Sequence, residues 1–323
     1  MTTPSVSFPR RAVLLALLLA VPGLVSAQGG GRGKEQPANL RLATERMRDG
    51  QTAGAIAAVK KELRENPRSA AAANLLDVLG ATAEARKVFQ QRIDAAADPA
   101  AKAAALRALA MSFAFDGDSA TVVKLEQQVI AYWATREAAE PQNAFYQQGE
   151  MANEAARVCI DAGDLDAAEQ WYRKGTELGL KEPEPKTHPK SLWDYRLAHA
   201  LGRIAARRGD PAEAHKQIAI ARKILDGDPK MAAQQERFFP YLVGYVALYT
   251  NDLKTAEAEL TKTVSLPGNQ NDPFMNCLLA MTCEKLGQAE KAKELYRKSY
   301  DLATAHNPPA AFVRPFARKK LGL

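Results

Sequence analysis

Ala156-Arg157-Val158-Cys159-Ile160-Asp161-Ala162-Gly163-Asp164-Leu165-Asp166-Ala167-Ala168-Glu169-Gln170-Trp171-Tyr172-Arg173-Lys174-Gly175-Thr176-Glu177-Leu178 is the stretch that decides the fold. A small residue, Ala156, stands seven positions before Gly163, and Ala168 stands five positions after it. Small side chains at those two places let two antiparallel helices approach closely. A glycine at the bend tolerates the positive φ that ends the first helix.

The same register recurs along the chain. Its bends are Gly50, Gly80, Gly117, Gly163, Gly209, Asn251 and Gly287, preceded at seven residues by Ala43, Ala73, Ala110, Ala156, Gly202, Gly244 and Ala280. Ala55, Ala85, Val122, Ala168, Ala214, Ala256 and Ala292 follow at five residues, so only Val122 departs from alanine. About seven helical hairpins are therefore expected, stacked as an all-α superhelix. Such a solenoid grows by adding units and needs no second core, although the length alone would fit two domains. Helix starts support the register. Asp210-Pro211-Ala212-Glu213 reads as a capping box, with Asp210 accepting first-turn amides, Pro211 at the first helical position and Glu213 reaching back.

With Tyr172 and Gly175 added to Ala156, Gly163 and Ala168, the unit resembles a tetratricopeptide repeat. The last unit matches through Ala280, Gly287, Ala292, Tyr296 and Ser299, and Pro67 closes the first where the family often has proline. Successive bends lie 30, 37, 46, 46, 42 and 36 residues apart, so the repeats are degenerate. The extra length before Gly209 falls in a proline-rich loop at 179–189. The extra length before Gly163 is expected from a long helix ending near Pro141. The third unit, with Val122 and with Glu126 where an aromatic belongs, is the weakest match.

Arg10 and Arg11 precede an apolar run, 12–25, that ends in Val25-Ser26-Ala27. It reads as a signal peptide, 1–27, cleaved after Ala27, because the run is too short for a permanent span. The expected organisation is that signal, a flexible linker at 28–38, a helical-repeat domain at 39–305 and a C-terminal capping helix at 306–323. In the last, Phe312, Val313, Phe316 and Leu321 cover the apolar face of the final unit. The product is expected in the periplasm or secreted, with no stable membrane anchor after cleavage. Gly29 to Lys34 looks superficially like a phosphate-binding loop, but position 28 is glutamine and Glu35 replaces the required Ser or Thr.

Cleavage lowers the net charge from +7 to +5, with 42 basic against 37 acidic residues, and the two signs alternate without forming blocks. That argues against nucleic acid as a partner. Cys277 and Cys283 lie six apart on one helix and face different directions, so buried, unbridged thiols are expected. No H-E-x-x-H, G-x-S-x-G, S-x-x-K or paired C-x-x-C occurs. His188, His199, His215 and His306 are dispersed, and Asp161, Asp164 and Asp166 depart from a calcium loop. No catalytic residue, metal site or cofactor is assigned.

Binding is the better prospect, because the first helices of stacked hairpins line a concave groove. On that face the register places Tyr241, Tyr245 and Tyr249 in the sixth unit, and Arg196, His199, Arg203 and Arg207 in the fifth. Arg157 and Asn153 occupy it in the fourth, and Arg107 with Met111 in the third. Tyrosines beside arginines suit an extended peptide, since rings supply apolar area and guanidinium groups pair carboxylates or stack on rings. The opposing interpretation is that the tyrosines only fill space between hairpins. The functional expectation is an exported, non-catalytic protein- or peptide-binding scaffold; the alternative is an accessory or glycan-binding subunit of an envelope enzyme. The Lys and Asn set of the family's clamp for chaperone C-termini is not reproduced.

Overall fold

The computed structural model describes residues 36–323. The expected signal peptide, and the linker up to residue 35, lie outside them. The described residues hold no strand and form helices α1 (Ala38–Arg48), α2 (Thr52–Glu65), α3 (Ala70–Val78), α4 (Thr82–Asp94), α5 (Pro99–Ala114), α6 (Ser119–Ala134), α7 (Pro141–Ala162) and α8 (Leu165–Gly179). They continue with α9 (Lys190–Arg207), α10 (Pro211–Gly227), α11 (Pro229–Gln235), α12 (Phe239–Tyr249), α13 (Leu253–Ser265), α14 (Pro273–Lys285), α15 (Ala289–Leu302) and α16 (Pro308–Leu321).

Every bend expected from the register is a left-handed residue, with φ between 65° at Asn251 and 88° at Gly163. Each joins two antiparallel helices: α1–α2, α3–α4, α5–α6, α7–α8, α9–α10, α12–α13 and α14–α15. The flanking small residues are all buried, Val122 among them. Close approach is visible at Gly244, where an added Cβ would lie 2.7 Å from Leu260 Cγ on the partner helix. Helix starts are capped by side chains at Ser69, Asp98, Asp118, Asp164, Asp210, Asp228, Asp252, Asp272 and Asn307, each accepting from the amide three residues on.

Three local expectations need correction. Asp210 accepts from the Glu213 amide at 3.0 Å, but the Glu213 carboxylate turns outward to Lys216 and Gln217, so only half of the capping box forms. The long helix of the fourth unit begins at Pro141 and does not end there, because a proline at the first helical position has no amide to lose. The final helix does more than cap: α16 packs on α14 and α15 and also on α3, α5 and α7, on the opposite side of the coil.

This closure draws the two ends of the array together. Arg314 donates from Nε to the Val78 carbonyl at 2.8 Å and from Nη1 to the Tyr300 carbonyl at 2.9 Å. His306 Nε2 lies 2.8 Å from Asp77 Oδ2, and Asp77 also accepts from Ser112 on α5. One apolar cluster consequently runs from Leu40 in α1 to Ala317 in α16. The three cysteines are buried and unbridged.

Candidate functional site

The residues expected to line a groove stand mainly on α7, α9 and α12, and Tyr172 of α8 joins them through its hydrogen bond with Arg203. Helical spacing of three and four residues puts Arg196, His199, Arg203 and Arg207 on one stripe of α9 and Tyr241, Tyr245 and Tyr249 on the facing stripe of α12. Arg203 is at the centre. Its Nη1 donates to the Tyr241 hydroxyl and its Nη2 to the Tyr172 hydroxyl, both at 3.0 Å, and Nε meets the His199 carbonyl at 3.3 Å. The guanidinium also lies 5.7 Å from the ring centres of Tyr172, Tyr241 and Tyr245.

Arg207 repeats this arrangement one turn on, donating to the Tyr245 hydroxyl at 3.4 Å and lying 4.9 Å above Tyr249. Tyr245 and Tyr249 stack at 4.6 Å. Arg203, Tyr241, Tyr245 and His199 are buried, so these four pack neighbouring hairpins, as the opposing interpretation expected. Burial pushes the Tyr241 phenol up to about 12 and Tyr245 well above its ordinary value, so both keep their protons. Burial, then the adjacent Arg203, holds His199 well below the usual imidazole range and therefore neutral.

Arg157 is exposed, and among the described residues its guanidinium has no hydrogen-bond or ion-pair partner. One turn along α7, Asp161 is half-buried and faces Arg203, Arg157 and Arg207 without a hydrogen bond. Burial outweighs those cations and pushes its carboxyl up to about 7. Asp161 also borders an open pocket of about 320 Å³ formed with Phe115, Val158, Phe312, Phe316 and Lys319. Sequence reasoning placed Asp161 only at the bend and used Tyr172 only as a residue of the repeat pattern. The signal that would have found Asp161 is its position four residues after Arg157.

The remaining expected residues have structural partners. Arg107 grips Glu154 with two bonds, Nε to Oε1 at 3.0 Å and Nη2 to Oε2 at 2.7 Å. Beside it lies the fully buried Glu126; burial, then the Glu154 charge, pushes its carboxyl well above the usual range, so it is neutral. Arg196 pairs with Glu150 and lies 5.2 Å above Trp193, outside the tyrosine cluster. Asn153 is half-buried against Gly175, where a Cβ would come within 2.4 Å of its Oδ1. The structure thus brings Arg157, Arg203, Arg207 and the three tyrosines of α12 together and separates Arg107, Arg196 and Asn153 from them.

The 179–189 loop is folded around Glu182, whose carboxylate accepts from the Thr187 amide and hydroxyl and lies 2.9 Å from His188 Nδ1. His188 in turn stacks on Tyr146 at 3.8 Å. Among the described residues no group of three or more His, Cys, Asp or Glu could hold a metal ion, and no helix is long and apolar enough to cross a membrane.

A tetratricopeptide repeat family model matches residues 275–306, the hairpin around Gly287. Among solved structures the chain is similar to the TPR domain of P58(IPK), at 12% identity and a TM-score of 0.32, over 88% of this chain and 97% of that one. No curated protein matches.

Proposed function

We propose, from the premise that this chain is a tetratricopeptide-repeat protein with degenerate units, that it is an exported, non-catalytic scaffold of the bacterial envelope. The fold is in general that of a protein-interaction scaffold. Export is supported by Arg10, Arg11 and the short apolar run ending at Ala27. The binding surface is the inner wall, where a partner protein or extended segment meets Arg157, Arg207 and Tyr249.

The observation that carries this reading is Arg157, an exposed cation without an ion pair among the described residues, beside Arg203 and Arg207, which are tied to tyrosines. A solvated, unpaired guanidinium can engage a carboxylate or stack on a partner's aromatic group. Glycan stacking has less support, because the Tyr241 and Tyr245 rings are buried.

Affinity purification from the native envelope tests the reading, comparing the parent with an Arg157→Ala/Tyr249→Ala double variant. The parent should retain a partner that the variant loses while keeping its helical circular dichroism. A partner held equally by both proteins places binding elsewhere.

A further inference from the structure

Arg203 is only 5% exposed, yet its hydrogen-bond partners are two phenol oxygens and a carbonyl of its own helix. A guanidinium removed from water without a carboxylate beside it is an uncompensated charge. Arg157 and Arg207 lie in the same cluster and make no ion pair either among the described residues.

The acids near them do not balance three cations. Among the described residues Asp161 is the one carboxylate facing all three, and burial raises its carboxyl to about 7. Glu154 is committed to Arg107. Asp272 caps α14 through the Met275 amide and has Arg237 as a second neighbouring cation. His199 is neutral. Three cations against one carboxylate that ionises only at about neutral pH leave the cluster short of about two negative charges or more. Tyr172 and Tyr241 use a lone pair to accept from Arg203, which leaves each hydroxyl proton free to donate.

We propose that the cluster of Arg157, Arg203, Arg207, Tyr172 and Tyr241 is a site for a dianionic phosphate group, either free phosphate or a small phosphate monoester. A phosphate carries close to two charges at neutral pH and presents three strong acceptor oxygens, matching the missing charge and the three guanidinium forks. A carboxylate supplies half the charge. Entry is from the side of exposed Arg157. The proposal depends on the scaffold reading for location only. Protein capture that persists in phosphate-free buffer separates the two, so each can fail without the other.

The test is calorimetric titration of the purified protein in phosphate-free buffer with inorganic phosphate and, separately, with glycerol 3-phosphate. Saturable, salt-sensitive binding is expected, weakened about tenfold or more by Arg157→Gln and by Arg207→Gln, since each removes a charge-assisted contact. Both variants should keep the parent's circular dichroism and melting temperature in the absence of ligand. Tighter binding of the ester assigns an esterified ligand, and equal or tighter binding of inorganic phosphate assigns the free ion. Absence of saturable binding by either, variants that bind like the parent, or acetate competing with equal strength overturns the proposal.

Discussion

At the residue scale, buried acids and the left-handed bends make the clearest predictions. Asp161 holds its proton more tightly folded, at about 7, than unfolded, where an aspartate titrates near about 4. Its contribution is therefore fully present below the unfolded value and is lost as pH rises through the folded one. Asp161→Asn should change stability least near about pH 4 and raise the melting temperature at about pH 8, because only the ionised acid carries the burial cost. A larger gain on the acid side contradicts that sign. Among the bends, Gly209 has φ of 76° and only open space within 4 Å of where a Cβ would stand, so strain is the whole cost of a side chain there. Gly209→Ala should cost about 1–2 kcal/mol in denaturant unfolding, and Gly209→Asn less, because asparagine tolerates this conformation, as Asn251 does in the sixth unit. Equal losses for the two variants would refute the argument.

At the element scale, hairpin neighbours are fitted by glycines outside the bends. Trp193 on α9 is fully buried, and its ring fills a slot between Gly149 of α7 and Gly179 of α8. A Cβ on Gly179 would lie 2.1 Å from Trp193 Cε2, and one on Gly149 would lie 2.5 Å from Cη2. Gly179→Ala should destabilise by about 1–3 kcal/mol through overpacking. Gly227, at the end of α10, meets nothing within 4 Å, so Gly227→Ala should be neutral or stabilising by up to about 1 kcal/mol. Equilibrium unfolding of the two variants checks the contrast; similar effects would mean that the slot is not tight. The two glycines stood in plain view in the sequence, but the tryptophan that fills them comes from the following hairpin, and no periodicity within one helix reports that.

At the scale of the whole molecule, α16 ties the last hairpin to the second. Arg314 is buried and serves the carbonyls of Val78 and Tyr300 at once, with its guanidinium 3.8 Å from the Tyr300 ring centre. Arg314→Ala leaves both carbonyls without this donor and should cost about 1–3 kcal/mol. Loss of the cross-coil contact should also speed amide hydrogen exchange in α3, 236 residues away in sequence. Unchanged exchange in α3 would show that the closure carries no stability. α16 packs on α3, α5 and α7, while the tyrosine–arginine cluster lies on α7, α9 and α12.

Backbone geometry at the seven bends, the small residues flanking them and the all-helical class were legible in the residues, because positive φ and close helix approach admit few side chains. The arginine and tyrosine stripes were legible too, since helical spacing assigns them to one face. Tertiary structure alone decided which of those side chains are buried and whom they meet. Arg203 became a buried cation among phenols only when α8, α9 and α12 converged, and Asp161 joined it from α7. Such convergence depends on how far each hairpin rotates on the next, which is set by side-chain packing between units. The return of α16 to Val78 sums those rotations around the coil, and no local pattern contains the sum.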